Sequence, residues 1–166
     1  MSRIELIPNL CTGANLLFGV LAIAAVFSHY FIMSLVFIIL AAFLDRADGI
    51  LSRLYNVSSA FGRELDSLAD LVSFGVAPSA MLYGTMIGNW AYAGLVCFAF
   101  FTLCGAYRLA RYNVSGSTGF FQGLPITIGG TSLAVLVILF HSPAVTLTAS
   151  IIIALAMIST IRIPKF

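Results

Sequence analysis

Four aspartates stand in a chain that is otherwise poor in charge. Asp45 and Asp48 are three residues apart, and Asp66 and Asp70 are four apart. On helices each pair would share one face. Two such faces opposed make a box of hard oxygen ligands, suited to Mg²⁺, Mn²⁺ or Ca²⁺, with no neighbouring histidine or cysteine to favour zinc. Four carboxylates that close repel one another strongly, and one or two divalent ions resolve the repulsion. A two-metal clamp in turn suits displacement at phosphorus, where charge spreads over phosphoryl oxygens. Gly49 and Gly62 carry no side chain where a ligand would approach the backbone. Arg53 and Arg63 flank the carboxylates with guanidinium forks that match phosphate or carboxylate.

The elements that must position these residues are membrane helices. Of 166 residues, 61% are apolar and 8% charged, against about a quarter charged in a soluble domain, and the mean hydropathy is +1.08. Too little polar surface remains to cover a water-exposed exterior, so a bilayer is the expected solvent. The net charge of +2 and the lack of a basic tract argue against nucleic acid as a partner. Cys11, Cys97 and Cys104 form no C-x-x-C pair and read as free apolar side chains. No small-residue cleavage site follows the single N-terminal arginine, so the first apolar run is expected to persist as a helix.

Six spans are expected, at Thr12–Ser28, Tyr30–Leu54, Gly62–Tyr83, Ala91–Tyr112, Gly123–Phe140 and Ala144–Ile161. The connections are short, which favours antiparallel neighbours in a single all-α bundle over residues 1–166. Alternating the spans puts Arg3, Arg46, Arg53, Arg63, Arg108, Arg111, Arg162 and Lys165 at the end shared by both termini, together with every acid. By the positive-inside rule that end, with both termini, is cytoplasmic.

The second span has only 14 apolar residues before Asp45, about 21 Å of helix against a hydrocarbon core of roughly 30 Å. Asp45 is therefore expected in the cytoplasmic leaflet or at its edge, and Asp66 and Asp70 arrive at the same depth from the other direction. An aspartate at the bilayer centre costs roughly 2.5–3.5 kcal/mol. A cation or proton pathway is an alternative use of such residues, but it requires polar residues continuing to the far side. The outer halves of spans two and three are almost purely apolar. Gly13, Gly19, Gly94 and Gly105 read as helix-packing positions, and His29 and His141 as loop residues on the side away from the carboxylates.

The stretch from Asp45 to Asp70 resembles the signature of the CDP-alcohol phosphatidyltransferase family, D-x-x-D-G-x-x-A-R-x8-G-x3-D-x3-D, at every spaced position except Ser52, where the family usually has Ala. Within that family it is most similar to the small membrane-embedded phosphatidylserine synthases, through the text from Gly62 to Pro78, Cys104 to Asn113, Phe121 to Pro125 and the closing I-R-I-P-K-F. The resemblance implies transfer of a phosphatidyl group from CDP-diacylglycerol to L-serine, giving phosphatidylserine and CMP, in the cell membrane with the site facing the cytoplasm. It also implies a homodimer and one or two Mg²⁺ or Mn²⁺ ions on Asp45, Asp48, Asp66 and Asp70, with Asp70 doubling as general base. Asp48, Gly49, Ser52, Arg53, Gly62 and Asp66 fall at the positions the family uses around CDP. Serine is a zwitterion, and Arg108 and Arg111, at the end of the fourth span, are candidates for its carboxylate. Sister transferases use glycerol 3-phosphate or inositol phosphate, or an ether-lipid donor. A phosphorylated acceptor would want further cations, and the 113–122 loop supplies none.

Overall fold

The computed structural model describes residues 6–54, 59–86, 88–115, 120–160 and 162–164. Arg3, Glu5 and Lys165 lie outside the described residues, as does the side chain of Arg53. The elements in chain order are α1 (Leu6–Phe27), α2 (Phe31–Leu54), α3 (Ala60–Asp70), a π-helical turn (Leu71–Val76), α4 (Ala77–Thr85), a 3-10 turn (Gly88–Trp90), α5 (Ala91–Ser115), β1 (Phe120–Gln122), α6 (Ile126–Leu139), α7 (Pro143–Ile158) and β2 (Arg162–Pro164). The two short strands pair antiparallel, Phe121 opposite Ile163, and tie the connection before α6 to the segment after α7. Everything else is a helical bundle.

Each expected span appears as a helix, and the boundaries have local causes. Between α1 and α2 the turn is closed by Tyr30 N–H donating to the Ala25 carbonyl (2.8 Å) and His29 N–H to the Val26 carbonyl (2.9 Å), with His29 at φ 59°. This left-handed cap ends α1 by satisfying its last carbonyls. Ser59 caps α3, its hydroxyl accepting from the Gly62 N–H at 2.9 Å, as N-cap chemistry requires. The fifth expected span is shortened at its start because Pro125 occupies the N-cap of α6 and Gly123 holds φ 77°.

Among the described residues, three stretches are long and apolar enough to cross a membrane: Asn9–Phe27, Ala60–Thr85 and Gly88–Val114. α2 has the length, but Asp45, Arg46, Asp48 and Arg53 all fall within its last ten residues. α6 and α7, with 14 and 16 residues, rise only about 21 and 24 Å. The outward surface carries large apolar side chains, among them Leu17, Phe27, Ile32, Phe43, Leu103 and Ile152, on a scale that water would penalise. Inside, Ile38, Phe74, Met81, Leu82, Phe101 and Leu133 are fully buried in one core.

The third span is not one regular helix. Pro78 offers no N–H to the preceding turn, and the chain widens there, with the Ala77 N–H reaching back to the Val72 carbonyl. Such π turns are rare and cluster at functional sites. Neighbouring helices close around this one through glycines. A Cβ on Gly130 of α6 would run into the Phe74 carbonyl, and one on Gly19 of α1 would run into Ser73. Ser79 covers the Gly75 carbonyl at 2.6 Å. The wide turn thus sits locked between α1 and α6, immediately below Asp70.

Candidate functional site: a carboxylate cluster at one end of the bundle

Side-chain hydrogen bonds bring the starts of α1, α3 and α6 to the same end as the finishes of α2, α5 and α7. Thr12 of α1 donates to Asp48 of α2 at 2.8 Å, and Thr127 of α6 to Asp45 at 3.0 Å. Asn15 of α1 donates through Nδ2 to Asp70 at 3.2 Å. Ser67 of α3 and Asn113 of α5 bond to each other. Asp45, Asp48 and Asp66 converge, each offering a carboxylate oxygen within 4.8 Å of the others. Asp70 stands beside this triad, close enough to feel the charges of Asp45, Asp66 and Asp48, and is nine-tenths buried.

The triad fits a hard divalent cation. The three oxygens, within 4.8 Å of one another, lie no further apart than oxygens on opposite sides of one ion at roughly 2.6 Å can. Asp66 Oδ1 is buried without a hydrogen-bond partner among the described residues, and a buried unpaired carboxylate oxygen is costly unless something cationic meets it. Mg²⁺ or Mn²⁺ suits an all-oxygen donor set.

Around the carboxylates other buried polar atoms are left over. Asn9 Nδ2, Asn15 Oδ1 and Arg108 Nε also lack partners among the described residues. Arg108, on the last turns of α5, is buried and lies within electrostatic reach of Asp70 and Asp45. Arg111 is placed differently. Its two terminal nitrogens donate to the Ile158 and Ser159 carbonyls at 2.9 and 3.1 Å, joining α5 to the end of α7. The Leu124 N–H reaches the Ala156 carbonyl of the same end at 3.0 Å, and Gly123 is pressed against it so closely that a Cβ would meet the Met157 carbonyl.

The residues expected around a nucleotide separate by environment. Gly49 opens on empty space, with nothing within 4 Å of where a Cβ would stand. A Cβ on Gly62 would stand 3.0 and 3.1 Å from Asn9 Oδ1 and the Ser59 hydroxyl, so its lack of a side chain serves the start of α3 as well. The Ser52 hydroxyl turns back onto the Gly49 carbonyl at 3.2 Å. Arg63 is exposed on the first turn of α3.

Sequence reasoning missed the contribution of α1. Asn9, Thr12 and Asn15 lie three residues apart on an otherwise apolar helix, and all three face the carboxylates or their supports. The spacing was a usable signal: three polar side chains at helical intervals near the charged end of a membrane helix are expensive without partners. Thr127 gave no such signal, because only the fold brings it to Asp45.

A family model for CDP-alcohol phosphatidyltransferase matches residues 5–162. The chain is 38% identical over 164 residues to a Methanocaldococcus jannaschii protein named CDP-diacylglycerol–serine O-phosphatidyltransferase, covering 99% of this chain and 76% of that one. A Bacillus subtilis protein of the same name is 35% identical over 161 residues, 96% of this chain and 90% of its own. A Helicobacter pylori protein of that name is 35% identical over 177 residues, covering 100% of this chain and 75% of its own. With the carboxylate cluster of α2 and α3 at its centre and the match running over nearly its whole length, the chain belongs to the CDP-alcohol phosphatidyltransferase family.

Proposed function

We propose that the chain transfers the phosphatidyl group of CDP-diacylglycerol to L-serine, forming phosphatidylserine and CMP in one displacement. The observation that carries this is the Asp45–Asp48–Asp66 triad, with its unpaired buried oxygen, in a chain similar over almost its full length to proteins named for that reaction.

Asp45, Asp48 and Asp66 would hold the divalent ion, with Asp70 completing the set. An Mg²⁺ or Mn²⁺ ion held there would supply positive charge to the pyrophosphate and make CMP a better leaving group. Gly49, with open space before it, would let the CDP moiety approach the backbone of α2, and Ser52, Arg53 and Gly62 follow it at the spacing of the family signature. Asp70 takes the proton of the serine hydroxyl as its oxygen attacks phosphorus. The new bond joins serine Oγ to phosphorus, and the bond between that phosphorus and the CMP oxygen breaks. Arg108, buried beside Asp70, binds the serine carboxylate, while Arg111 holds the end of α7.

The site faces the cytoplasm of the cell membrane with both chain termini, because Arg46, Arg63, Arg108 and Arg111 all accompany it. There a lipid pyrophosphate and water-soluble serine can meet. The homodimer of the family is carried over on membership alone.

The test is an acceptor panel. Purified protein in detergent receives CDP-diacylglycerol, Mn²⁺ or Mg²⁺, and labelled L-serine, glycerol 3-phosphate or inositol phosphate. Serine alone is expected to give labelled lipid with equimolar CMP, and chelator is expected to stop it. Turnover with another acceptor in place of serine would overturn the assignment.

A further inference from the structure

Asn15 is fully buried, and every part of it except one atom is engaged. Its Nδ2 donates to Asp70 Oδ1 at 3.2 Å, and its backbone carbonyl accepts from Ser73 Oγ at 3.0 Å. Oδ1 has no partner among the described residues. Rotating the amide would not relieve this, since it would set a carbonyl oxygen against a carboxylate. Nor can α1 drift away, because Gly19, one turn further on, is in contact with Ser73 of the π turn. The fold therefore fixes a naked acceptor beside the proposed base. Leaving a buried acceptor unpaired is destabilising, and polar residues at such positions in the membrane are functional by default.

Another orphan at this end is a donor, Nε of Arg108, whose side chain lies within electrostatic reach of Asp70. A buried acceptor and a buried donor flanking one carboxylate match a zwitterion, whose ammonium needs the first and whose carboxylate needs the second. The covalent structure of serine sharpens the match. Its ammonium and carboxylate are both on the carbon adjacent to the one bearing the hydroxyl. Any group that reads the ammonium must therefore lie next to the base that serves the hydroxyl, and Asn15 is hydrogen-bonded to that base.

Resting on the serine reading above, we propose that Asn15 Oδ1 accepts a hydrogen bond from the ammonium of the acceptor and so selects an amino-bearing alcohol, while Arg108 reads its carboxylate.

The experiment crosses variants with truncated acceptors. Competition against serine is measured for 3-hydroxypropionate, which lacks the ammonium, and for ethanolamine, which lacks the carboxylate. The wild type is expected to prefer serine over each by on the order of 10⁴-fold, as sites built to bond a polar group reject analogues without it. In Asn15→Leu the preference over 3-hydroxypropionate should fall to about 100-fold or less, the range of an apolar contact, while the preference over ethanolamine persists. Arg108→Met should do the reverse. Asn15→Ser, a smaller change, should give the same direction if Asn15→Leu fails to fold.

An Asn15 that only positions Asp70 would lower kcat for all acceptors and leave both preferences intact, which overturns the proposal. Loss of Mn²⁺ affinity in Asn15→Ser would also overturn it, by making Oδ1 a metal ligand. Wild-type protein that makes no lipid from serine defeats the serine reading itself, an outcome distinct from either.

Discussion

The two ends of the bundle are built on opposite terms. At the end away from the carboxylates, backbone groups close their own turns and helices meet through small residues. The His29 cap satisfies α1, Gly84 lies against Val26 and Phe31, and Gly94 against Met86. At the carboxylate end, helices are joined by polar side chains reaching between them, from Thr12, Asn15, Thr127 and Arg111. Asn9, Asn15, Asp66 and Arg108 each keep a buried atom without a partner there among the described residues, whereas Ser34 is the other residue with such an atom. Apart from the Ser34 hydroxyl on the first turn of α2, one end is satisfied by the chain itself among the described residues. The other keeps buried donors and acceptors that a ligand could meet, and the π turn and its glycines separate the two.

Substitutions can break that contrast, and they should do so unequally. The largest effect is expected from Asp70→Asn, which keeps the shape but removes the proposed base. Turnover should fall about 10²- to 10⁴-fold, the usual worth of general base catalysis, with metal-dependent nucleotide binding largely kept. Turnover measured beside CMP binding checks this, and unchanged turnover would remove Asp70 from the base role. Gly130→Leu attacks the lock between the ends, forcing a side chain into the Phe74 carbonyl. A loss of about 1–3 kcal/mol or more is expected for overpacking of this kind, read as a lower unfolding midpoint in detergent.

Arg111→Met should behave as a structural change at the site end. It leaves the Ile158 and Ser159 carbonyls without their donors, a loss of about 1–3 kcal/mol, while KM for serine stays near that of the wild type. A large rise in that KM would bring Arg111 into the substrate site. The smallest effect belongs to the far end. His29→Gly relieves a left-handed residue worth roughly 1–2 kcal/mol, so stability should hold or rise slightly and activity should not change.

How much of this was legible depends on what each feature costs locally. Asp45, Asp48, Asp66 and Asp70 stood out because a charge in an apolar run is expensive wherever the chain folds. The helices were legible for the same reason, since apolar runs broken by His29–Tyr30 or by Pro143 have few alternatives. The π turn was not, because Pro78 sits inside a run that reads as continuous helix, and the close approach of Gly19 and Gly130 to the widened turn comes from other helices. The separate fates of Arg108 and Arg111 were equally hidden. Three residues apart on α5, they are alike in sequence, and only the approach of α7 turns Arg111 to backbone carbonyls and leaves Arg108 facing Asp70.

The central claim is that Asp45, Asp48 and Asp66 form one divalent-metal site that the reaction uses. Electron paramagnetic resonance of free Mn²⁺, titrated against purified wild type and Asp66→Asn, tests it most directly. Saturable binding by the wild type, displaced by Mg²⁺ and weakened at least tenfold in the variant, in step with lost turnover, is the predicted result. Equal Mn²⁺ affinity in the two proteins, or turnover that survives in the variant, would contradict it.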